Sequence, residues 1–132
     1  MKTIKVFIER AKDGMYSAYM PDNNNLHFNA IGEGETVKEA HDDFLAVIEA
    51  FRVDFPEEID GLSFEFSYDV ASFLDYYAGK LSLAGLSRIT GVAQGQLSHY
   101  ITGRRNPSPR TIEKIDKAFH AFAKELSQVH FV

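Results

Sequence analysis

Between Gln94 and Arg110 the chain sets short polar side chains beside arginines. Gln94, Gln96, Ser98, His99 and Thr102 carry hydrogen-bond donors and acceptors on short stems. Groups of this kind can reach base edges; glutamine in particular pairs bidentately with adenine. Arg104, Arg105 and Arg110 follow, the residue type that grips phosphate. If residues 94–102 are helical, Leu97, Tyr100 and Ile101 share an inward face at 100° per residue, and Gly95, His99 and Thr102 lie opposite, flanked by Gln96 and Ser98.

No other constellation carries comparable chemistry. There is no cysteine, which excludes a disulfide scaffold, thiolate metal sites and a cysteine nucleophile. The histidines at 27, 41, 99, 120 and 130 are not spaced as metal ligands. His41 edges an apolar stripe and reads as a half-buried packing residue. Gly14, Gly32 and Gly34 lack the Lys-Ser/Thr pair of a phosphate loop. No cofactor, no metal and no catalytic residues are expected. No apolar run approaches the roughly 20 residues of a membrane span, so a cytoplasmic protein with no membrane partner is expected.

Charge divides the chain. Residues 1–68 hold 6 Lys+Arg and 14 Asp+Glu, a net of −8, whereas residues 69–132 hold 8 and 5, a net of +3. The acidic groups concentrate on Glu39, Asp42, Asp43 and Glu49, on the Gly32–Glu35 stretch and between Asp54 and Asp60. Two surfaces with different partners follow from such a split.

The elements that must position these groups read as follows. Ile4, Val6 and Ile8 alternate through Thr3–Glu9, a strand. Ala11-Lys12-Asp13-Gly14 is a hairpin connection. Met15–Met20 is a second strand with Tyr16, Ala18 and Met20 on one face. Leu26, Phe28 and Ala30 predict a third strand, ended by Gly32-Glu33-Gly34. From Thr36 to Arg52 the period turns helical, with Val37, Ala40, His41, Phe44, Leu45, Ile48 and Phe51 as one stripe, and Thr36 with Glu39 matches a capping box. Pro56 bars continuation, and Leu62, Phe64, Phe66 and Tyr68 alternate as a fourth strand. The order β-β-β-α-β suits one helix on a small, mostly antiparallel sheet.

Four helices follow: Val70–Ala78, capped by Asp69 and stopped by Gly79; Leu83–Thr90, capped by Ser82 and ended by Gly91; Gln94–Thr102, ended by Gly103; and one from Pro109, capped by Ser108, with the stripe Ile112, Ile115, Phe119, Phe122, Ala123 and Leu126. Ser87 is small where two helices must approach, and Val92 and Leu97 can plug the angle between them. The fold class is α+β: a domain over 1–68 and an all-α domain over 69–132.

The run Leu86–Tyr100, with Gln-x-x-Leu-Ser-x-Tyr-x-x-Gly-x-Arg-x-Pro from Gln94 to Pro107, resembles the Cro/C1-type helix-turn-helix of phage repressors. The whole chain, with Gly34-Glu35-Thr36 leading into a Val-x-x-Ala helix ahead of that domain, is similar to HicB-type antitoxins. Where such families carry a Pro-Gly-Cys-like segment, this chain has Met20–Leu26. The resemblance implies a degenerate, non-catalytic ribonuclease-H-like first domain; the middle of the first strand is Lys5-Val6-Phe7, without the anchoring Asp of such nucleases. It implies that residues 1–68 block a small basic RNA-cleaving toxin, HicA-like; the placement of the acidic groups makes Glu33, Glu35, Glu39, Asp42 and Asp43 the expected toxin-binding residues, with the loop between the third strand and the helix as the best contact candidate. It implies that residues 69–132 bind double-stranded operator DNA as a dimer or higher homo-oligomer and repress the shared operon. The alternative is a repressor-type regulator whose first domain senses a ligand or serves only for assembly.

Overall fold

The computed structural model describes all residues, 1–132. The chain separates into two compact units, Met1–Tyr76 and Tyr77–Val132. The division falls beyond the end of the fourth strand, where the sequence reading set its boundary.

Unit 1 contains β1 (Lys2–Arg10), β2 (Tyr16–Tyr19), β3 (Ile31–Gly34), α1 (Val37–Phe51), α2 (Pro56–Asp60) and β4 (Leu62–Tyr68), and takes in the first turns of α3 (Val70–Leu81). The sheet order is β3-β2-β1-β4. β1–β2 and β2–β3 are antiparallel, and β4 lies parallel to β1. The parallel pairing requires a crossover, which α1 supplies. Ile4, Val6 and Ile8 of β1 and Tyr16 and Ala18 of β2 are buried, as alternation demands, and meet Val37, Ala40, Phe44 and Ile48 of α1. The Phe44 ring stands edge-on to Phe64 and Phe66 of β4. His41 is half-buried against Phe66, at 4.4 Å between ring centroids, in keeping with a packing role.

The third strand differs from the sequence reading. Leu26–Ala30 is not a strand; the strand is Ile31–Gly34, the stretch expected to end it. The amides of the earlier stretch bond to side chains instead: Leu26 N donates to Asn24 Oδ1 at 2.9 Å and His27 N to Glu58 Oε1 at 3.1 Å. Phe28 turns inward and stacks on Phe51 at 5.0 Å. The glycines of β3 are there because α1 crosses them: a Cβ on Gly32 would strike Phe44 N and would lie 2.5 Å from the Ala40 carbonyl. Such closeness leaves room for hydrogen alone.

Two helix readings also change. α2, with Pro56 in its first turn, was not anticipated. α3 runs through Gly79 to Leu81 rather than stopping at Ala78. Gly79 does not adopt the left-handed conformation that ends helices; Ser82 interrupts the chain instead, at φ 60°.

Unit 2 contains α4 (Leu83–Thr90), α5 (Gln94–Thr102) and α6 (Pro109–Ser127). Ser82 Oγ accepts from Gly85 N at 3.0 Å and Ser108 Oγ from Thr111 N at 3.2 Å, the two expected caps. The buried apolar residues are Leu86, Val92, Leu97, Tyr100 and Ile115. The stripe expected along α6 is covered only in part: Ile115 is buried, Phe119 and Phe122 are half-buried, Ala123 is exposed, and Ile112 and Leu126 are 44% and 54% exposed. Length explains this. At 1.5 Å per residue α6 spans about 28 Å and α4 and α5 about 12–14 Å each, so they cannot cover it.

Candidate nucleic-acid interface

The turn joining α4 to α5 is fastened by side chains on both sides. Gly91 takes φ 71°, ψ 11°, and its N–H returns to the Ser87 carbonyl at 2.9 Å. Ser87 Oγ donates to the Val92 carbonyl at 2.7 Å, so this small residue bonds across the gap as well as fitting it. Buried Thr90 donates to the Leu86 carbonyl and accepts from Val92 N. Lys114 of α6 donates to the Gly91 carbonyl at 3.3 Å. With Val92 and Leu97 buried in the angle, α5 is held at a fixed attitude to α4.

The first turn of α5 is left open. Its N-cap is Ala93, and no side chain caps the helix. Uncapped first-turn amides form an anion-attracting end. Gln94, Gly95 and Thr102 are exposed, while Gln96 and Ser98 are half-buried. Space around Gly95 is empty out to 4 Å, so nothing inside the protein requires a glycine there.

Two side chains depart from expectation. His99 does not stand open opposite the core with Gly95 and Thr102: it is half-buried, and its Nδ1 is enclosed without a hydrogen-bond partner. Gln96 is partly engaged, its amide nitrogen donating to Tyr100 Oη at 3.0 Å. The Gln96 contact joins residues one helical turn apart, a spacing at which side chains meet. Gln94, Thr102 and the free part of Gln96 and Ser98 are the groups with room to reach outward.

Beyond α5, Gly103 adopts φ 79° and turns the chain. Arg104, Arg105 and Arg110 follow, exposed and without an ion pair, as is Arg88 on α4. Arg110, Lys114 and Lys117 line an open depression with Thr111 and Glu113. Arg104 and Arg105 thus follow the C-terminal end of α5 directly and meet no carboxylate, whereas Lys117 pairs with Glu113 at 2.7 Å.

The acidic residues of unit 1 are differently disposed. Asp43 Oδ2 accepts from Glu33 N at 2.9 Å and Glu39 Oε2 from Glu35 N at 2.8 Å, so both carboxylates cap outward-facing amides next to and within β3. Thr36 Oγ1 caps Glu39 N at 3.1 Å, one half of the expected box, while Glu39 reaches Glu35 rather than Thr36. Asp42 pairs with Lys38 and His41; the Lys38 contact, first, and His41 hold its carboxyl below the usual range. Glu33 and Glu35 keep their carboxylates exposed. No three His, Asp or Glu side chains converge to hold a metal ion.

Residues 78–120 match the family model described as helix-turn-helix, of the Cro/C1 type. That stretch is a DNA-binding helix-turn-helix domain, and the chain carries the DNA-binding part of a transcription regulator. No curated protein and no solved structure matches the chain. No helix is long and apolar enough to cross a membrane.

Proposed function

We propose that the protein is an antitoxin and autorepressor of the cytoplasm: unit 1, a non-catalytic relative of the ribonuclease H fold, neutralises a small basic RNA-cleaving toxin, and unit 2 represses their operon. The observation that carries this reading is the charge division. An acidic half of net −8 is joined to a helix-turn-helix half of net +3. A −8 surface repels DNA and attracts a cationic, RNA-binding protein at long range, with an association rate that falls as salt rises. The β-β-β-α-β order with β4 parallel to β1 supports the fold relationship.

Operator binding requires two recognition helices about one turn of DNA apart, hence a dimer. The uncovered stripe on α6 and the tail, where Val129 and Phe131 are 51% and 94% exposed, offer the apolar surface for it. A chain ending at Leu126 should then sediment as a smaller species than the full chain.

The test is co-expression with a short basic reading frame lying beside the gene. The full chain should restore growth and RNA integrity, and should bind an inverted repeat upstream of the operon. Failure of the full chain to rescue growth removes the antitoxin reading and leaves a repressor whose first unit senses a ligand or assembles.

A further inference from the structure

α1 covers one face of the sheet in unit 1; the opposite face carries a pattern of its own. In register, Phe7 of β1 lies beside Tyr19 of β2, and Tyr19 beside Ile31 of β3. All three point away from α1, because their neighbours Val6, Ile8, Ala18 and Gly32 are the buried ones. They form a continuous apolar row across three strands, about 10 Å wide at ~4.8 Å per strand. The Phe7 and Tyr19 rings are in contact at 5.8 Å, and Ile31 is 52% exposed. The next row is Glu9, Ser17 and Glu33, again direct cross-strand neighbours. The row on the other side pairs Lys5 with Glu65. Burial, first, and the nearby Glu9 carboxylate raise the Tyr19 phenol above its ordinary range.

An aromatic centre with a charged rim is the anatomy of a protein contact surface, in which a few central aromatic side chains supply most of the binding energy. The rim selects the occupant. A second copy of this unit would bring Glu9 and Glu33 against like charges on a body with 6 Lys+Arg and 16 Asp+Glu over residues 1–76, a net of −10; a basic protein meets attraction at both ends of the row. Edge-to-edge strand addition at β3 is blocked, since Asp43 occupies the outward amide of Glu33 and Glu39 that of Glu35.

We infer that the Phe7–Tyr19–Ile31 row on the open sheet face, rimmed by Glu9 and Glu33, is where unit 1 docks its basic protein partner. This rests on the antitoxin reading and moves the contact from the helix face, whose carboxylates are largely occupied, to the opposite side of the sheet. Glu33 belongs to both descriptions; Glu39, Asp42 and Asp43 do not.

The experiment is a calorimetric titration of the full chain with the purified basic protein encoded beside its gene. Wild type, Tyr19→Ala and Ile31→Lys are compared with Asp42→Ala and Glu49→Ala on α1. Tyr19→Ala and Ile31→Lys should weaken binding about 30-fold or more, the scale of a central contact residue. The α1 variants should stay within about threefold. Operator binding and melting temperature report folding, and Ile31, half exposed already, keeps the test sound should Tyr19→Ala unfold. If wild type binds and Ile31→Lys binds equally, or if only the α1 variants weaken, the docking face is wrong while the antitoxin reading stands. If Ile31→Lys instead shifts the free chain to a smaller sedimenting species and leaves the titration unchanged, the face joins copies of this chain and the inference falls. If wild type gives no binding heat and no complex in sedimentation, both readings fall together.

Discussion

The two units solve the problem of charge in opposite ways. In unit 1 the acidic groups are largely consumed by the fold: Asp43 and Glu39 cap backbone amides, Asp42 meets Lys38, Glu49 and Asp60 meet Arg52, and Glu58 meets His27. In unit 2 Arg88, Arg104, Arg105 and Arg110 meet no carboxylate. Cores differ in the same sense. Unit 1 buries an unbroken set from Ile4 to Ile59 around Phe44, whereas unit 2 buries five apolar side chains and leaves much of the α6 stripe in solvent. Unit 1 encloses its core on the α1 side of the sheet, and unit 2 leaves apolar and cationic surface uncovered.

The sharpest way to break the comparison is through packing. Phe44 is fully buried between β3 and β4, and Phe44→Ala should destabilise unit 1 by about 3–5 kcal/mol. Leu126→Ala, on the exposed part of α6, should change thermal stability of the isolated chain by under about 0.5 kcal/mol. Urea unfolding at low protein concentration measures both. Equal losses would mean that α6 is as well covered as α1.

Next in size is the effect on DNA. Arg104→Ala and Arg105→Ala should each weaken operator and random DNA alike, lowering the slope of log affinity against log salt by about 0.9. Gln94→Ala should instead reduce preference for operator over random sequence, by about 1–3 kcal/mol if its amide pairs a base. Anisotropy titrations at several salt concentrations separate the two. Loss of preference in the arginine variants and not in Gln94→Ala would reverse the assignment of reading and gripping groups.

Smaller still are the glycines, and they bear on what the sequence discloses. Thr36, Ser82 and Ser108 mark helix starts because a cap bonds its own first turn; that information is local. β1 and β4 show themselves by alternation, and α4 and α5 by their left-handed glycines at 91 and 103. β3 could not be found that way. Its inward residues are glycines, chosen for the passage of α1, so the apolar signal of a strand is missing and Leu26–Ala30 supplies a false one. The helix-turn-helix run was legible because it lies within one motif. The engagement of Asp43 by Glu33 N was not, since it depends on the register of α1 across β3. Gly79 and Gly95, with nothing near them, have no such structural duty. Gly79→Ala and Gly95→Ala should each raise stability by about 0.5–1 kcal/mol. Gly95→Ala alone should weaken DNA binding, because the exposed first turn of α5 must approach the groove. Unchanged DNA binding in Gly95→Ala would move the contact away from that turn.

The smallest expected effect lies in acid. The carboxyls of Asp42, Glu49 and Glu58 sit below their ordinary values, chiefly through hydrogen bonds from Lys38, Arg52 and His27 respectively. A carboxylate with a lowered folded pKa binds fewer protons folded than unfolded. It therefore adds stability above its unfolded pKa, about 4, and loses that contribution as pH falls through its lower folded value. Asp42 and Glu49 are exposed and Glu58 is half-buried at the surface, so screening keeps the effect slight and 1 M salt should reduce it. Between pH 5 and 3 the melting of unit 1, followed by tyrosine absorbance with Tyr77→Phe and Tyr100→Phe together removing the tyrosines of unit 2, should fall a little more than that of unit 2, followed by amide exchange of α4 and α5. Substituting Lys38, Arg52 or His27 by Ala should flatten the difference. Were unit 2 the more acid-sensitive of the two, carboxylates there would be as deeply engaged as those of unit 1, and the contrast between a satisfied half and an open half would be lost.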